Sequence, residues 1–260
     1  MAVPNKSLGQ HWLHDRDVLA HIADMAEVTA QDTVLEIGPG LGTLTSELLR
    51  RAKKVVAVEF DQELARKLPG QFPGKDLEVV SEDILHFNLS KLPVGYKVVA
   101  NVPYYITSKI VQKLMTTEHK PSVAVLLVQK EVAERLAAKP GNLSILAISA
   151  QVFAEVTLGD VVPASLFTPP PKVDSQVVIL RARSSPLTGD LDESLFFRVV
   201  KAGFSAKRKK LRTSLAGGLD ITKDEAVKLL IEAKINPDNR AEAITIEQWL
   251  ALTEIVATQS

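Results

Sequence analysis

From Thr33 onward the chain alternates short β-branched apolar runs with amphipathic ones, and no other feature restricts the fold as much. TVLEIGPG, KVVAVEF, LEVVSED, YKVVANV and SVAVLLV are too short for core helices and read as strands. TLTSELLRRA, ELARKL, TSKIVQKLMTT and KEVAERLAA have helical periodicity. Strands joined by helices predict an α/β class with a mainly parallel sheet covered on both faces. Two further β-rich runs, QVFAEVTLG and SQVVILRAR, end this region. Apolar residues make up 46% of the 260, enough for a sizeable core.

The stretch Ala182–Asp190, ARSSPLTGD, reads as a linker, and beyond it the periodicity is purely helical. This predicts two domains, residues 1–183 and a small helical domain at 184–260. Thr222 with Glu225, and Thr245 with Gln248, have capping-box spacing. Gly217-Gly218 and Asn236-Pro237 are expected to break the chain between helices.

Several function classes are excluded early. Without cysteine there is no disulfide framework or thiolate chemistry, and the five scattered histidines lack metal-ligand spacing, so no metal is expected. The start, MAVPNKSLGQHWL, is neither an apolar signal nor an Arg-rich transit peptide, and no apolar run could span a bilayer. A cytoplasmic protein without a membrane partner is expected. The formal net charge is zero, yet residues 201–212 carry only basic charges while the chain after Gly218 is mainly acidic. Local charge sets a binding face. Lys207, Arg208, Lys209, Lys210 and Arg212 are therefore the candidate strip for a nucleic-acid partner.

Gly38-Pro39-Gly40-Leu41-Gly42 lies between a strand and a helix, where glycine permits a sharp turn and close approach of a ligand. Glu59 ends the next strand, roughly 20 residues on, the distance at which a carboxylate accepts from ribose hydroxyls. The spacing G-x-G-x-G is not that of dinucleotide enzymes, and no P-loop Lys-Ser/Thr pair follows. A nucleoside without phosphates fits better, which points to S-adenosylmethionine. Asp83, after the third strand, is either an acceptor for the adenine amino group or the N-cap of ILHF.

The fourth strand ends in Ala100-Asn101-Val102-Pro103-Tyr104-Tyr105, an amide, a proline and two phenols at one spot. Ligands sit beyond the carboxyl ends of parallel strands, so Gly38, Glu59, Asp83 and Asn101 should line one crevice. The exocyclic amine of a base is a poor nucleophile because its lone pair is delocalised. Accepting its hydrogens at the Asn101 oxygen and a main-chain carbonyl near Val102 would free that pair. Pro103 would fix the carbonyl, and Tyr104 would stack on the base. Tyr105 is assigned to the core.

These residues resemble the ribosomal RNA adenine N6-dimethyltransferases over nearly the whole chain. KSLGQHWL is similar to the family's N-terminal motif, LEIGPGLGTLT to its cofactor loop and NVPYYITS to its catalytic motif. FTPPPKVDS (Phe167–Ser175) resembles its later loop, and NRAEAITIEQW the ending of the small-subunit enzymes. The resemblance implies a Rossmann-like S-adenosylmethionine-dependent methyltransferase domain with an N-terminal cofactor-capping segment. By it His11, where many members carry Asn, and Leu13 would touch the cofactor along with Gly38, Gly40, Glu59, Asp83 and Asn101. Phe167 would wall the target-base pocket beside Tyr104; the other reading of Phe167 is a hydrophobic plug. The implied reaction places two methyl groups on each of two adjacent adenines near the 3′ end of 16S rRNA. The implied partner is the small ribosomal subunit, met by a monomer. A large-subunit adenine methyltransferase conferring antibiotic resistance shares the fold and catalytic motif. A noncatalytic RNA-binding assembly factor is opposed by the intact Gly38, Glu59 and Asn101 set, and a nicotinamide oxidoreductase by the glycine spacing.

Overall fold

A computed structural model describes residues 10–259. Its strands are β1 (Trp12–Leu13), β2 (Thr33–Ile37), β3 (Lys54–Glu59), β4 (Leu77–Ser81), β5 (Lys97–Asn101), β6 (Val123–Gln129), β7 (Ala154–Val162), β8 (Phe167–Thr168) and β9 (Ser175–Ala182). Its helices are α1 (Arg16–Met25), α2 (Thr43–Leu48), α3 (Gln62–Lys67), α4 (Thr107–Thr116), α5 (Lys130–Leu136), α6 (Ile145–Gln151), α7 (Glu193–Gly203), α8 (Leu211–Leu219), α9 (Lys223–Glu232) and α10 (Ile246–Gln259).

Seven strands form one sheet in the order β4-β3-β2-β5-β6-β9-β7. β4, β3, β2, β5 and β6 run parallel, whereas β9 pairs antiparallel with both β6 and β7. β6 is apolar along nearly its whole length because both of its faces are buried. The remaining two strands, β1 and β8, pair antiparallel with Trp12 opposite Thr168 and Leu13 opposite Phe167. The arrangement is Rossmann-like, with an antiparallel extension at one edge. Aspartates start three of the helices: Asp15, Asp61 and Asp192 each accept from amide N–H groups in the first turn.

The chain divides into two compact units, one of residues up to 134 with 154–182, the other of 135–153 with 183 onward. The last change of unit, at 182/183, falls one residue from the expected boundary at 183/184. Assigning 135–153 to the sheet domain is corrected. This stretch is tied to the helical unit by backbone chemistry that no local pattern announces. The Gly141 and Leu143 N–H groups donate to the Glu242 carbonyl, and the Arg183 guanidinium donates to that of Gln151. Both expected capping boxes form, Thr222 with Glu225 and Thr245 with Gln248.

The glycine pair does not break a helix, contrary to expectation. Gly217 and Gly218 lie inside α8, which ends instead at Asp220 in the left-handed region. A β-carbon on Gly218 would stand 2.4 Å from the Ala202 Cα, so the glycine is there to let α7 and α8 touch. Around Gly217 nothing lies within 4 Å. Gly218→Ala is therefore expected to lower the urea midpoint, at a cost of about 1–3 kcal/mol. Gly217→Ala should raise it, by about 0.5–1 kcal/mol of helix propensity. Equal shifts for the two variants would refute this account of the helix contact.

Candidate active site

β2 and β5 are neighbours in the sheet but not in sequence, so the chain departs in opposite directions from their carboxyl ends and leaves a crevice. One cleft gathers His11, Leu13, Gly38, Gly40, Glu59, Asn101, Pro103 and Tyr104. Asp83 lines an adjoining depression that shares Gly38, Glu59 and Pro103 with the cleft. Its Oδ1 accepts from the Leu85 N–H at 2.9 Å, capping a turn where the sequence suggested a helix over ILHF, and its Oδ2 lies 3.9 Å from the His86 Nδ1.

The glycine loop is shaped from both sides. Gly40 has φ +56°, and a β-carbon there would approach the Trp12 Nε1 to 3.2 Å. Glu59 braces the same loop: Oε2 accepts from the Gly40 N–H at 3.0 Å and Oε1 from the Asp61 N–H at 2.8 Å. Burial pushes the pKa of Glu59 up, and these N–H groups oppose it. Each oxygen keeps a second lone pair for a ligand.

Asn101 ends β5, and its Nδ2 donates to the His11 carbonyl at 3.1 Å. The amide is thereby oriented, and Oδ1 is the atom left to accept from a ligand. Pro103 adopts φ −60° and starts a turn in which its own carbonyl accepts from Ile106. The Tyr104 hydroxyl is 2.6 Å from the Ser175 Oγ, at the start of β9. Its ring stacks on His11 with centroids 5.8 Å apart, and His11 Nδ1 is 2.7 Å from the Pro169 carbonyl. The N-terminal strand thus reaches both the amide and the ring of the NVPYY motif.

Three sequence assignments need correction. Of the two readings of Phe167 the packing favours the hydrophobic plug over the pocket wall: it is 3% exposed and packs in the core with Leu13 and Val177, and pairing in β8 turns its side chain inward. Tyr105, assigned to the core, is 62% exposed and lines both depressions, because the turn after Pro103 directs it outward. Lys210 and Arg212 are not free cations: Asp238 pairs with them at 2.7 and 2.9 Å. Two further cleft residues were not singled out from sequence. Phe60 follows Glu59 and is exposed in both depressions, and nothing in its pattern distinguishes it from a surface aromatic.

The other is Glu36, in the strand run VLEIG. It is 1% exposed, it lines the cleft, and its Oε2 has no hydrogen-bond partner. Burial pushes its pKa up to about 8, with Thr45 partly offsetting and Glu59 reinforcing the shift. Because the folded pKa lies above the unfolded one, the folded protein keeps a proton between about pH 4.5 and 8 that the unfolded chain releases. Stability from this group therefore falls as pH rises through that window. Glu36→Gln, which stays neutral, should gain on the parent protein in urea denaturation as pH goes from 5 to 8. A constant difference between the two would show that Glu36 is ionised in the fold.

Among the described residues no group of three His, Cys, Asp or Glu could hold a metal ion. Residues 2–258 match the family model described as ribosomal RNA adenine dimethylase. A protein of Dehalococcoides mccartyi named ribosomal RNA small subunit methyltransferase A is 39% identical, covering 95% of this chain and 86% of its own. A protein of the same name from Geobacillus is also 39% identical, over 95% and 90%. Among solved structures, the 23S rRNA methyltransferase ErmE is 31% identical with a TM-score of 0.75, covering 95% of this chain and 99% of its own. A dimethyladenosine transferase from Plasmodium falciparum is 28% identical with a TM-score of 0.79, over 93% and 96%. With nearly its whole length matched by that model and with relatives of this identity and coverage, this chain belongs to the ribosomal RNA adenine dimethylase family.

Proposed function

We propose that the protein dimethylates the N6 amino groups of two adjacent adenosines near the 3′ end of small-subunit rRNA, with S-adenosylmethionine as methyl donor, during maturation of the small ribosomal subunit. The observation that carries this reading is the orientation of Asn101. Its Nδ2 is engaged by the His11 carbonyl, which leaves an acceptor oxygen beside the glycine loop. The 39% identity to proteins named for the small subunit, against 31% to one named for 23S rRNA, supports the small-subunit target.

The residues present fit the cofactor. A cradle at Gly40 that a β-carbon would crowd, two acceptor carboxylates at Glu59 and Asp83, and a buried Glu36 oxygen without a partner among the described residues suit a cationic nucleoside. Among the described residues no lysine or arginine lines the cleft to hold a pyrophosphate. When bound, S-adenosylmethionine supplies a methyl group activated by a sulfonium. Glu59 accepts from the ribose hydroxyls, Asp83 from the adenine amino group, and Glu36 offers its free oxygen to a cationic part of the ligand. His11 and Leu13, held by β1, close the cleft from the N-terminal side.

For the target base, Asn101 Oδ1 and a main-chain carbonyl near Val102 accept the two amino hydrogens. The nitrogen then becomes pyramidal and its lone pair is directed outward. Tyr104, fixed at its hydroxyl by Ser175, supplies the stacking face. The adenine reaches it only after leaving its own stack, an energetic cost met by contacts to the rest of the RNA. Lys207, Arg208 and Lys209, exposed and unpaired among the described residues, serve those contacts.

Incubation with methyl-labelled cofactor and undermethylated small subunits, followed by mapping of the label, tests the reading directly. Label at large-subunit adenines would transfer the target. Asn101→Ala should slow single-turnover methylation by about 10²-fold, equivalent to about 2.7 kcal/mol of transition-state stabilisation. A near-normal rate would refute the role of the amide. Glu59→Ala should weaken cofactor affinity in calorimetry by about 10-fold to 100-fold, as expected for hydrogen bonds to a charged group. Unchanged affinity in a folded variant would reduce Glu59 to a brace of the loop.

A further inference from the structure

The spacing of Ser194, Arg198, Lys201 and Ser205 repeats every three or four residues, which places them on one face of α7 and its C-terminal turn. All four are exposed, and together they line a shallow groove whose far wall is Gly218 of α8. That wall carries no side chain, because the packing of Ala202 leaves no room for one. Arg198 and Lys201 have no ion-pair partner among the described residues. The nearby cations of α8 differ, since Asp238 neutralises Lys210 and Arg212.

Resting on the rRNA reading above, we propose that this groove on α7 is a docking track for the phosphates of an RNA strand, with Arg198 and Lys201 as its anchors. Lys207, Arg208 and Lys209 continue the same positive stretch through the following turn. The Ser194 hydroxyl supplies a donor at the other end, whereas the Ser205 hydroxyl is already given to the Ser214 carbonyl and contributes shape only. Acids bound the track: Asp192 and Glu193 precede Ser194, while Asp220 and Glu225 lie across the depression beyond Arg198. Phosphates are therefore confined to the stretch from Ser194 to Lys209. An open, side-chain-free wall suits a sugar–phosphate backbone, which is bulky and carries its charge in a row. The absence of any base-sized aromatic lining means that the track reads charge and shape rather than sequence.

The test is binding of the full chain to undermethylated small subunits across a salt series. Changing both Arg198 and Lys201 to Gln should weaken binding and lower the log–log salt slope by roughly 1.4–1.8, two phosphate contacts at roughly 0.7–0.9 each. Arg198→Lys combined with Lys201→Arg keeps the charge and should restore the slope. Lys210→Gln with Arg212→Gln should leave it unchanged. A line for the first double variant parallel to that of the parent protein overturns the proposal, as does a slope lost only in the α8 variant. Methylation by the parent protein is scored separately. If it binds subunits but transfers no methyl group, the enzymatic reading falls while the slopes still decide the track.

Discussion

A single hydrogen bond, from the Asn101 amide to the His11 carbonyl, joins parts of the chain 90 residues apart, and the geometry of the cleft depends on it. An asparagine side chain can present either end of its amide to a ligand. Committing the nitrogen to His11 decides which end remains. His11 can do this because β1 is pinned at Leu13, whose carbonyl accepts from the Thr43 hydroxyl at 3.0 Å and whose side chain is buried in the core. The same short strand places Trp12 against Gly40 and the His11 ring against Tyr104. The glycine loop, the Asn101 amide and the Tyr104 ring are thus referenced to one segment.

Electrostatics follow from that enclosure. The cleft holds two carboxyl groups removed from water, and burial raises the pKa of both. They are treated differently by their surroundings. Glu59 is given amide N–H donors, so it is braced as an anion. Glu36 has an oxygen with no partner, so its neutral form is favoured until positive charge arrives. Two buried carboxyl groups make a site that disfavours a phosphate and favours a cation.

Much of this was legible in the chain because the informative signals are local. Strand runs, the glycine loop, the capping boxes and the NVPYY motif each depend on neighbours a few residues away, so pattern and spacing disclose them. What the pattern hid is set by distant partners. Glu36 interrupts an apolar run and gives no local sign that the cleft lies beside it. Phe167 follows the direction imposed by pairing with Leu13, which turns it from the cleft. Lys210 and Arg212 look identical in sequence to Lys207 and Lys209 until Asp238 is folded onto them. Gly218 reads as a helix breaker until Ala202 is placed against it, and residues 135–153 look like part of the sheet domain until Glu242 collects their amides.

The ribbon of β1 and β8 has only two residue pairs in register, compared with five to seven in most pairings of the large sheet. Its hold on the chain is local, while the cooperative unfolding of the molecule is set by the seven-stranded sheet and the helical unit. Integrity of the fold and competence of the site are consequently separate properties. A protein whose ribbon has come apart would keep the seven-stranded sheet and the circular dichroism that it gives, while losing the burial of Leu13 and Phe167 and the partner that orients the Asn101 amide. Circular dichroism is thus nearly blind to the ribbon. Amide exchange at Leu13 and Phe167 would report on it.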